Sequence, residues 1–245
     1  MRNPTMNPTR STLLFLSVFF FSPLLWAEGF TLVAGGGYKK PMQEVIQAYQ
    51  KQSGVQLQAS YGNMRQILSQ AQASSQIKLV IGDQKFLQQS TAFKQFHRIG
   101  QGKLVIAWAQ NRPEIRLPKD FANPELSRVA MPDPQKAIYG RAANEWIKSH
   151  DLTIRLKPIL LQAATVPQVS AYLVAREIDA GFINLTDAIG LGDRIGGYQI
   201  LENGYDPIQI VAAPVNDGEN QSEVNAFLNF LQSDLGKTIF AKYGL

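Results

Sequence analysis

The sequence has 245 residues, with 24 Lys and Arg, 19 Asp and Glu and no cysteine, and its formal net charge is +5. The absence of cysteine excludes disulfides, thiolate metal ligands and thiol nucleophiles. The basic residues form no Lys/Arg-rich block, so we do not expect nucleic acid as a partner.

The N-terminal segment has the pattern of a secretory signal peptide. Arg2 and Arg10 precede an apolar run at Leu13–Leu25, and the small residue Ala27 follows it. The run is shorter than the ~20 apolar residues that span a bilayer, although a retained membrane anchor is the alternative. Removing residues 1–27 leaves 218 residues and, with the two arginines lost, lowers the net charge from +5 to +3. We therefore expect an exported chain that is free in its compartment.

The first half of the remaining chain alternates between strand and helix patterns. A strand is predicted at Phe30–Ala34, and the apolar spacing around Pro41 predicts a helix. That helix should end at Ser53 and Gly54, because glycine is the usual residue after a helix C-terminus. Further elements are predicted as a strand at Val55–Ser60, a helix from Met64 to Ala71 and a strand at Ile77–Ile81.

The second half continues in the same rhythm. Strands are predicted at Lys103–Ala109, Arg128–Met131, Pro158–Leu161, Ala180–Asn184 and Ile208–Ala213. Helices are predicted at Ala137–Ser149, at Val166–Glu177 and twice in the C-terminal segment. Alternating strands and helices predict an α/β fold with largely parallel sheets that helices cover on both faces.

Two strand patterns divide the chain into two candidate lobes. Five prolines punctuate residues 112–135, and the apolar strands at 103–109 and 208–213 flank the long segment between them. We interpret these strands as the crossings between the lobes. One lobe would then comprise residues 28–107 and 211–245, and the inserted lobe would comprise residues 108–210.

The sequence contains few of the residue patterns that are typical of enzyme active sites. The two histidines, His97 and His150, have no metal-binding spacing, and neither a nucleophile elbow nor a phosphate-binding P-loop is present. Asp83, Asp133 and Asp187 lie where turns meet predicted elements, so we expect them to cap helices or stabilise turns. The sequence predicts no catalytic residue, no metal and no cofactor.

Glycine-rich junctions offer anion binding by the backbone instead. Gly35–Gly37 lies between a strand and a helix start, and similar junctions occur at Tyr61–Asn63 and Ala137–Gly140. The N–H groups at a helix start lack partners, and the helix dipole favours negative charge there. Several such junctions facing one cleft would form a site for an oxyanion.

Five stretches of the sequence resemble one family over nearly the whole chain after residue 27. The stretches are LVAGGGYKKPMQEVIQAYQKQSGVQL, IGDQKFL, MPDPQKAIYGRAANEW, AGFINLTDA and the terminal AKYGL. They are similar to the periplasmic molybdate-binding proteins of ABC transporters. The resemblance implies a type II periplasmic-binding fold, in which two α/β lobes joined by a two-strand hinge close on a small anion. It also implies a monomer in the periplasm and an inner-membrane permease as partner.

The resemblance further implies a set of neutral donors, most of which have changed here. The family's two serines fall at Gly37 and Asn63, and its tyrosine falls at Asn184. The residue that contributes a backbone N–H in the second lobe falls at Tyr139, and a valine with the same role falls at Val169. Three hydroxyl groups are therefore missing, and each lost donor would cost about 1–3 kcal/mol unless it is replaced.

Replacement donors lie close to the same loops. The candidates for ligand contact, besides Gly37 and Val169, are Gly36, Tyr38, Lys39, Lys40, Asn63, Arg65, Tyr139, Arg141 and Asn184. Arg65 and Arg141 would suit a carboxylate or phosphate, which a guanidinium binds with two hydrogen bonds. Molybdate or tungstate is the first ligand that the resemblance implies, and a larger organic anion is the main alternative. The fold would also suit a sensory module that presents its ligand to a receptor, or a secreted enzyme.

Overall fold

The structure is a computed structural model that describes residues 27–216 and 221–245. The predicted signal segment, apart from Ala27, lies outside the described residues. Within these two ranges, none of the helices combines the length and the apolar character needed to cross a bilayer.

Ten strands and nine α-helices are described within residues 27–216 and 221–245. In chain order the strands are β1 Ala27–Gly35, β2 Val55–Gly62, β3 Ile77–Asp83, β4 His97–Gly102, β5 Leu104–Trp108, β6 Val129–Pro132, β7 Leu160–Ala163, β8 Ala180–Asn184, β9 Gly197–Leu201 and β10 Ile208–Pro214. The helices are α1 Lys39–Ser53, α2 Met64–Ala73, α3 Gln84–Leu87, α4 Ile138–Ser149, α5 Thr153–Leu156, α6 Val166–Val174, α7 Leu185–Leu191, α8 Ser222–Gln232 and α9 Asp234–Lys242. Short 3-10 helices occur at Gly36–Tyr38, Pro118–Ala122 and Gly192–Arg194.

The strands form two five-stranded sheets, each at the centre of one lobe. The first sheet has the order β2-β1-β3-β10-β4, and the second has the order β7-β6-β8-β5-β9. The C-terminal helices α8 and α9 pack against β1, β4 and α1, and therefore belong to the first lobe. Helices α4 and α6 pack against β6 and β8 of the second lobe. The predicted α/β fold with two lobes is confirmed.

Both sheets are mixed, whereas the sequence predicted largely parallel ones. In the first sheet β2, β1 and β3 are parallel, but β10 runs antiparallel to β3 and β4. In the second sheet β7, β6 and β8 are parallel, but β5 runs antiparallel to β8 and β9. Strands β4 and β9 were not predicted, because the glycines and polar side chains of β4 and the half-exposed side chains of β9 give no clear apolar alternation.

The chain passes between the lobes at two places, which lie beside the predicted ones. Lys103 alone separates β4 in the first sheet from β5 in the second, and residues 202–207 separate β9 from β10. The sequence analysis placed the crossings on the strands at 103–109 and 208–213. Each of those strands pairs along its length within one sheet, so the crossings fall just before the strands.

Helix α1 shows how local sequence positions the elements. Its apolar residues recur at helical spacing, so Met42, Val45 and Tyr49 are buried on one face. Gly54 follows it with φ 73° and donates its N–H to the Gln50 carbonyl at 2.9 Å. This left-handed conformation favours glycine, and it turns the chain into β2.

Candidate functional site

A cleft lies between the two lobes at the carboxyl ends of β1, β2, β6 and β7. Its internal volume is only about 20 Å³. The lining residues are Gly35, Gly36, Gly37, Tyr38, Gly62, Asn63, Met64, Ala137, Ile138, Tyr139, Thr165 and Val166. These residues belong to four junctions at which a helix begins, two from each lobe. Ligands of α/β proteins commonly bind at this edge of a sheet.

Backbone N–H groups at the helix starts supply donors to the cleft. The first N–H groups of a helix have no carbonyl within that helix to accept their hydrogen bonds. Met64 begins α2, Ile138 and Tyr139 begin α4, and Val166 begins α6. Because all four residues line the cleft, the positive ends of three helices meet in one small space.

Asn63 fixes the start of α2 and joins it to the second lobe. Its side-chain oxygen accepts a hydrogen bond from the Gln66 N–H at 3.0 Å, and the Gln66 side chain accepts from the Asn63 N–H at 2.9 Å. The Asn63 amide nitrogen donates across the cleft to the Ala164 carbonyl at 3.3 Å. The residue therefore caps a helix and contributes to closure of the lobes.

Tyr38 and Tyr139 meet across the same interface. Their hydroxyl oxygens are 2.6 Å apart, and both side chains are buried. Burial raises the pKa of Tyr38 well above its usual value and also raises the pKa of Tyr139, so both hydroxyls remain protonated at neutral pH. One of the two protons forms the hydrogen bond between the hydroxyls, so the pair joins the two lobes inside the cleft.

Asn184 occupies the space above Gly37. The Asn184 amide nitrogen donates to the Gly37 carbonyl at 3.0 Å, and a Cβ added to Gly37 would lie 2.5 Å from the Asn184 side-chain oxygen. The resemblance implies a serine at position 37 and a tyrosine at position 184. Here the two changed residues contact each other, and the absence of a side chain at Gly37 leaves the space that the Asn184 amide occupies.

Arg141 interacts with the first lobe rather than with the cleft. Its guanidinium lies 3.0 Å from the Asp83 carboxylate, which is almost completely buried, and it also packs over the Phe86 ring at 5.5 Å. Asp83 was expected to cap α3, but its side chain makes no capping hydrogen bond there. Burial raises the pKa of Asp83, and Arg141 opposes that rise.

The remaining candidates lie away from the cleft lining. The Arg65 side chain is exposed, and Val169 is buried with its N–H donated inside α6 to the Thr165 carbonyl at 3.3 Å. Lys39 and Lys40 line a neighbouring open cavity of about 470 Å³. Asp187 also lines that cavity, and it accepts a hydrogen bond from the Ser170 hydroxyl instead of capping a helix. Asp133 stabilises a turn, as expected, by accepting a hydrogen bond from the Gln135 N–H.

The sequence analysis missed Met64, Thr165 and Val166, whereas Ile138 falls within the predicted junction at Ala137–Gly140 without having been singled out. Thr165 caps α6 by accepting from the Gln168 N–H at 3.4 Å, and Val166 is the first residue of that helix. A threonine two residues before Pro167 is a recognisable helix start, and it could have located this fourth junction.

The chain matches a known protein family along most of its length. A profile described as bacterial extracellular solute-binding protein matches residues 30–245. The molybdate-binding protein ModA of Rhodobacter capsulatus is 27% identical over 145 residues, which are 58% of this chain and 56% of that protein. The corresponding protein of Escherichia coli K12 is 23% identical over 230 residues and 87% of each chain.

A solved structure shows the same fold. The periplasmic molybdate-binding protein of Azotobacter vinelandii superposes with a TM-score of 0.79 at 20% sequence identity. The superposition covers 88% of this chain and 97% of that chain. The similarity therefore includes both lobes.

Proposed function

Because the chain belongs to the bacterial extracellular solute-binding protein family, we propose that it binds a small oxyanion between its lobes and delivers it to a membrane transporter. The observation that carries this proposal is the convergence of helix starts from both lobes on one cleft. Residues 1–27 would direct the chain to the periplasm, and an ABC transporter permease would be its partner in the inner membrane.

The chemistry of the cleft favours a compact anion. None of its lining residues has a charged side chain, and its donors are backbone N–H groups, the tyrosine hydroxyls and Thr165. Neutral donors at helix starts stabilise an anion that has lost its water. The cleft as it stands has an internal volume of only about 20 Å³, roughly the space of one water molecule, so the lobes must part slightly even for a compact oxyanion, and a large organic molecule would require a wider opening.

Molybdate and tungstate are the first solutes to test, because relatives of this chain are named for molybdate. The organic anion that the sequence left open was argued from Arg65 and Arg141. Arg65 is exposed and Arg141 is paired with Asp83, so this argument loses its main support. A solute that bears a tetrahedral oxyanion group remains the function that the geometry supports best.

The proposed mechanism is capture by closure. Groups from both lobes surround the cleft, so a bound anion makes its full set of contacts only when the lobes are together. Binding therefore shifts the population toward the closed form, and that form would be presented to the transporter. Asn63 and the two tyrosines would contribute to closure and would enclose the solute at the same time.

Calorimetry with molybdate, tungstate, sulfate and phosphate tests the proposal. Val166→Pro removes one N–H group from the cleft at a first helical position, where proline is tolerated. We expect it to weaken oxyanion binding by about tenfold, the effect of one lost hydrogen bond to a charged group. Val166→Ala keeps the N–H and should lose much less. Failure of the unmodified protein to bind any oxyanion would contradict the proposal.

A further inference from the structure

Asn184 carries a buried acceptor without a partner. The residue ends β8 and is completely buried, and its amide nitrogen donates to the Gly37 carbonyl. Within residues 27–216 and 221–245, its side-chain oxygen accepts no hydrogen bond. A buried polar atom in this state costs free energy, and nearly all such atoms in folded proteins find a donor.

The orientation of the amide is determined by its neighbour. Rotating the Asn184 amide by 180° would place its oxygen against the Gly37 carbonyl oxygen, and two acceptors repel each other. The side-chain oxygen must therefore face away from that carbonyl. It lies on the side of Gly37 from which a side chain would project, and a Cβ there would be 2.5 Å from it. Asn184 itself has no surface in the cleft lining, but Gly37 does, and Gly37 carries no side chain that would separate a solute in the cleft from this oxygen.

An acceptor at this position distinguishes between oxyanions. Fully ionised anions such as sulfate and molybdate are acceptors only, so the Asn184 oxygen would repel them. An anion that keeps a proton at neutral pH, such as hydrogen phosphate, can donate that proton to the amide oxygen while the helix starts bind its other oxygens.

We propose that Asn184 selects a solute that carries a hydrogen-bond donor on or beside its oxyanion group, with hydrogen phosphate as the simplest example. The inference rests on the proposed function and narrows its solute. The donor could be the hydroxyl of the oxyanion itself or a hydroxyl of an organic phosphate. Both sources present the same chemistry to the amide oxygen.

The ranking of anions by the unmodified protein is the first test and requires no variant. Calorimetry at pH 7 would compare phosphate, glycerol 3-phosphate, sulfate and molybdate under one buffer condition. We expect the tighter of the two phosphates to bind at least about tenfold more tightly than sulfate and molybdate. If inorganic phosphate binds more tightly, the proton donated to Asn184 comes from the oxyanion itself. If glycerol 3-phosphate binds more tightly, it comes from the organic hydroxyl. A smaller ratio, or a preference for sulfate or molybdate, overturns the inference.

Asn184→Leu tests whether this residue is the cause. The variant should bring the phosphate-to-sulfate affinity ratio to within about threefold, because the acceptor is gone. Asn63→Ala is the matched control, since it also loses an amide hydrogen bond across the lobes, but the Asn63 oxygen already has the Gln66 N–H as its donor. It should weaken all anions by a similar factor. An unchanged ratio in Asn184→Leu overturns the role of Asn184, whereas a protein that binds no oxyanion contradicts the proposed function instead.

Discussion

Arg141 and Asp83 join the two lobes through an ion pair whose carboxylate is shielded from water. The Asp83 side chain is 1% exposed, the Arg141 side chain is 15% exposed, and the shortest distance between them is 3.0 Å. Burial is the main cause of the raised Asp83 pKa, and the nearby guanidinium limits the rise. The arginine therefore stabilises the charged form of a buried carboxylate.

Arg141→Met should destabilise the protein by about 3 kcal/mol at pH 7, because it leaves a buried charge without its partner. The pKa of Asp83 is already raised, and it should rise further in the variant. A raised carboxyl pKa means that the cost of the charged form is present above that pKa and is relieved as the pH falls through it. The deficit relative to the unmodified protein should thus shrink in acid. Urea unfolding at pH 7 and pH 5 measures it.

Arg65→Met provides the control for this prediction. It removes the same charge from an exposed position, so its effect on the free energy of unfolding should stay within about 0.5 kcal/mol. Adding Asp83→Asn to Arg141→Met should recover part of the lost stability. Equal stabilities for the two arginine variants would show that the ion pair contributes nothing.

Single residues were predictable from sequence when their role is local. Gly37 and Asn63 stand at helix starts whose pattern is visible in the chain, and the structure puts both in the cleft lining. Partners distant in sequence were not predictable. Arg141 contacts Asp83, which is 58 positions away in the sequence, and Tyr38 contacts Tyr139, which is 101 positions away. Only the folded chain therefore shows that Arg141 forms an ion pair and that Tyr38 forms a hydrogen bond with another tyrosine.

Helix α4 approaches the end of β6 so closely that its third residue must be glycine. A Cβ on Gly140 would lie 2.4 Å from the carbonyl oxygens of both Pro132 and Asp133. These are backbone atoms, so a side chain could be accommodated only by moving the helix. The same close approach brings the N–H groups of Ile138 and Tyr139 to the cleft.

Gly140→Ala should therefore displace the start of α4. We expect a loss of about 1–3 kcal/mol in the free energy of unfolding, as for other overpacked sites, and weaker binding of the solute. Gly190→Ala is a matched control, because the three atoms nearest to the added Cβ there belong to the flexible Lys40 side chain, not to backbone. Urea unfolding and calorimetry compare the two. A Gly140→Ala protein as stable as Gly190→Ala would contradict this account of α4.

The order of elements was largely readable from the sequence, because apolar periodicity is a local property. The pairing partners were not. Strand β4 reads HRIGQG and has little strand pattern, yet β10 pairs with it from a position about 110 residues later in the chain. Strand β10 pairs antiparallel with β3 and β4, and strand β5 pairs antiparallel with β8 and β9. Each of these two strands directly follows a passage between the lobes, and no local pattern specifies its direction.

At the scale of the whole molecule, two passages and several side-chain contacts connect the lobes. Tyr205, in the second passage, accepts from the Leu104 N–H at 3.1 Å and donates to the Leu201 carbonyl at 2.7 Å. It thereby links the second passage to the strand that follows the first. The family resemblance predicted two lobes, but the contacts that hold them together depend on distant pairs that only the folded chain brings into contact.

Tyr139→Phe tests how much one such contact contributes to closure. The variant removes the hydroxyl that lies 2.6 Å from the Tyr38 hydroxyl and leaves the latter buried without this partner. The cost falls on the closed form, so solute affinity should decrease by about threefold to tenfold and small-angle scattering of the solute-bound protein should show a larger open fraction. Tyr172→Phe, on the exposed surface of α6, should change neither measurement. Equal affinities and scattering profiles for the two variants would mean that the tyrosine pair does not contribute to holding the lobes together.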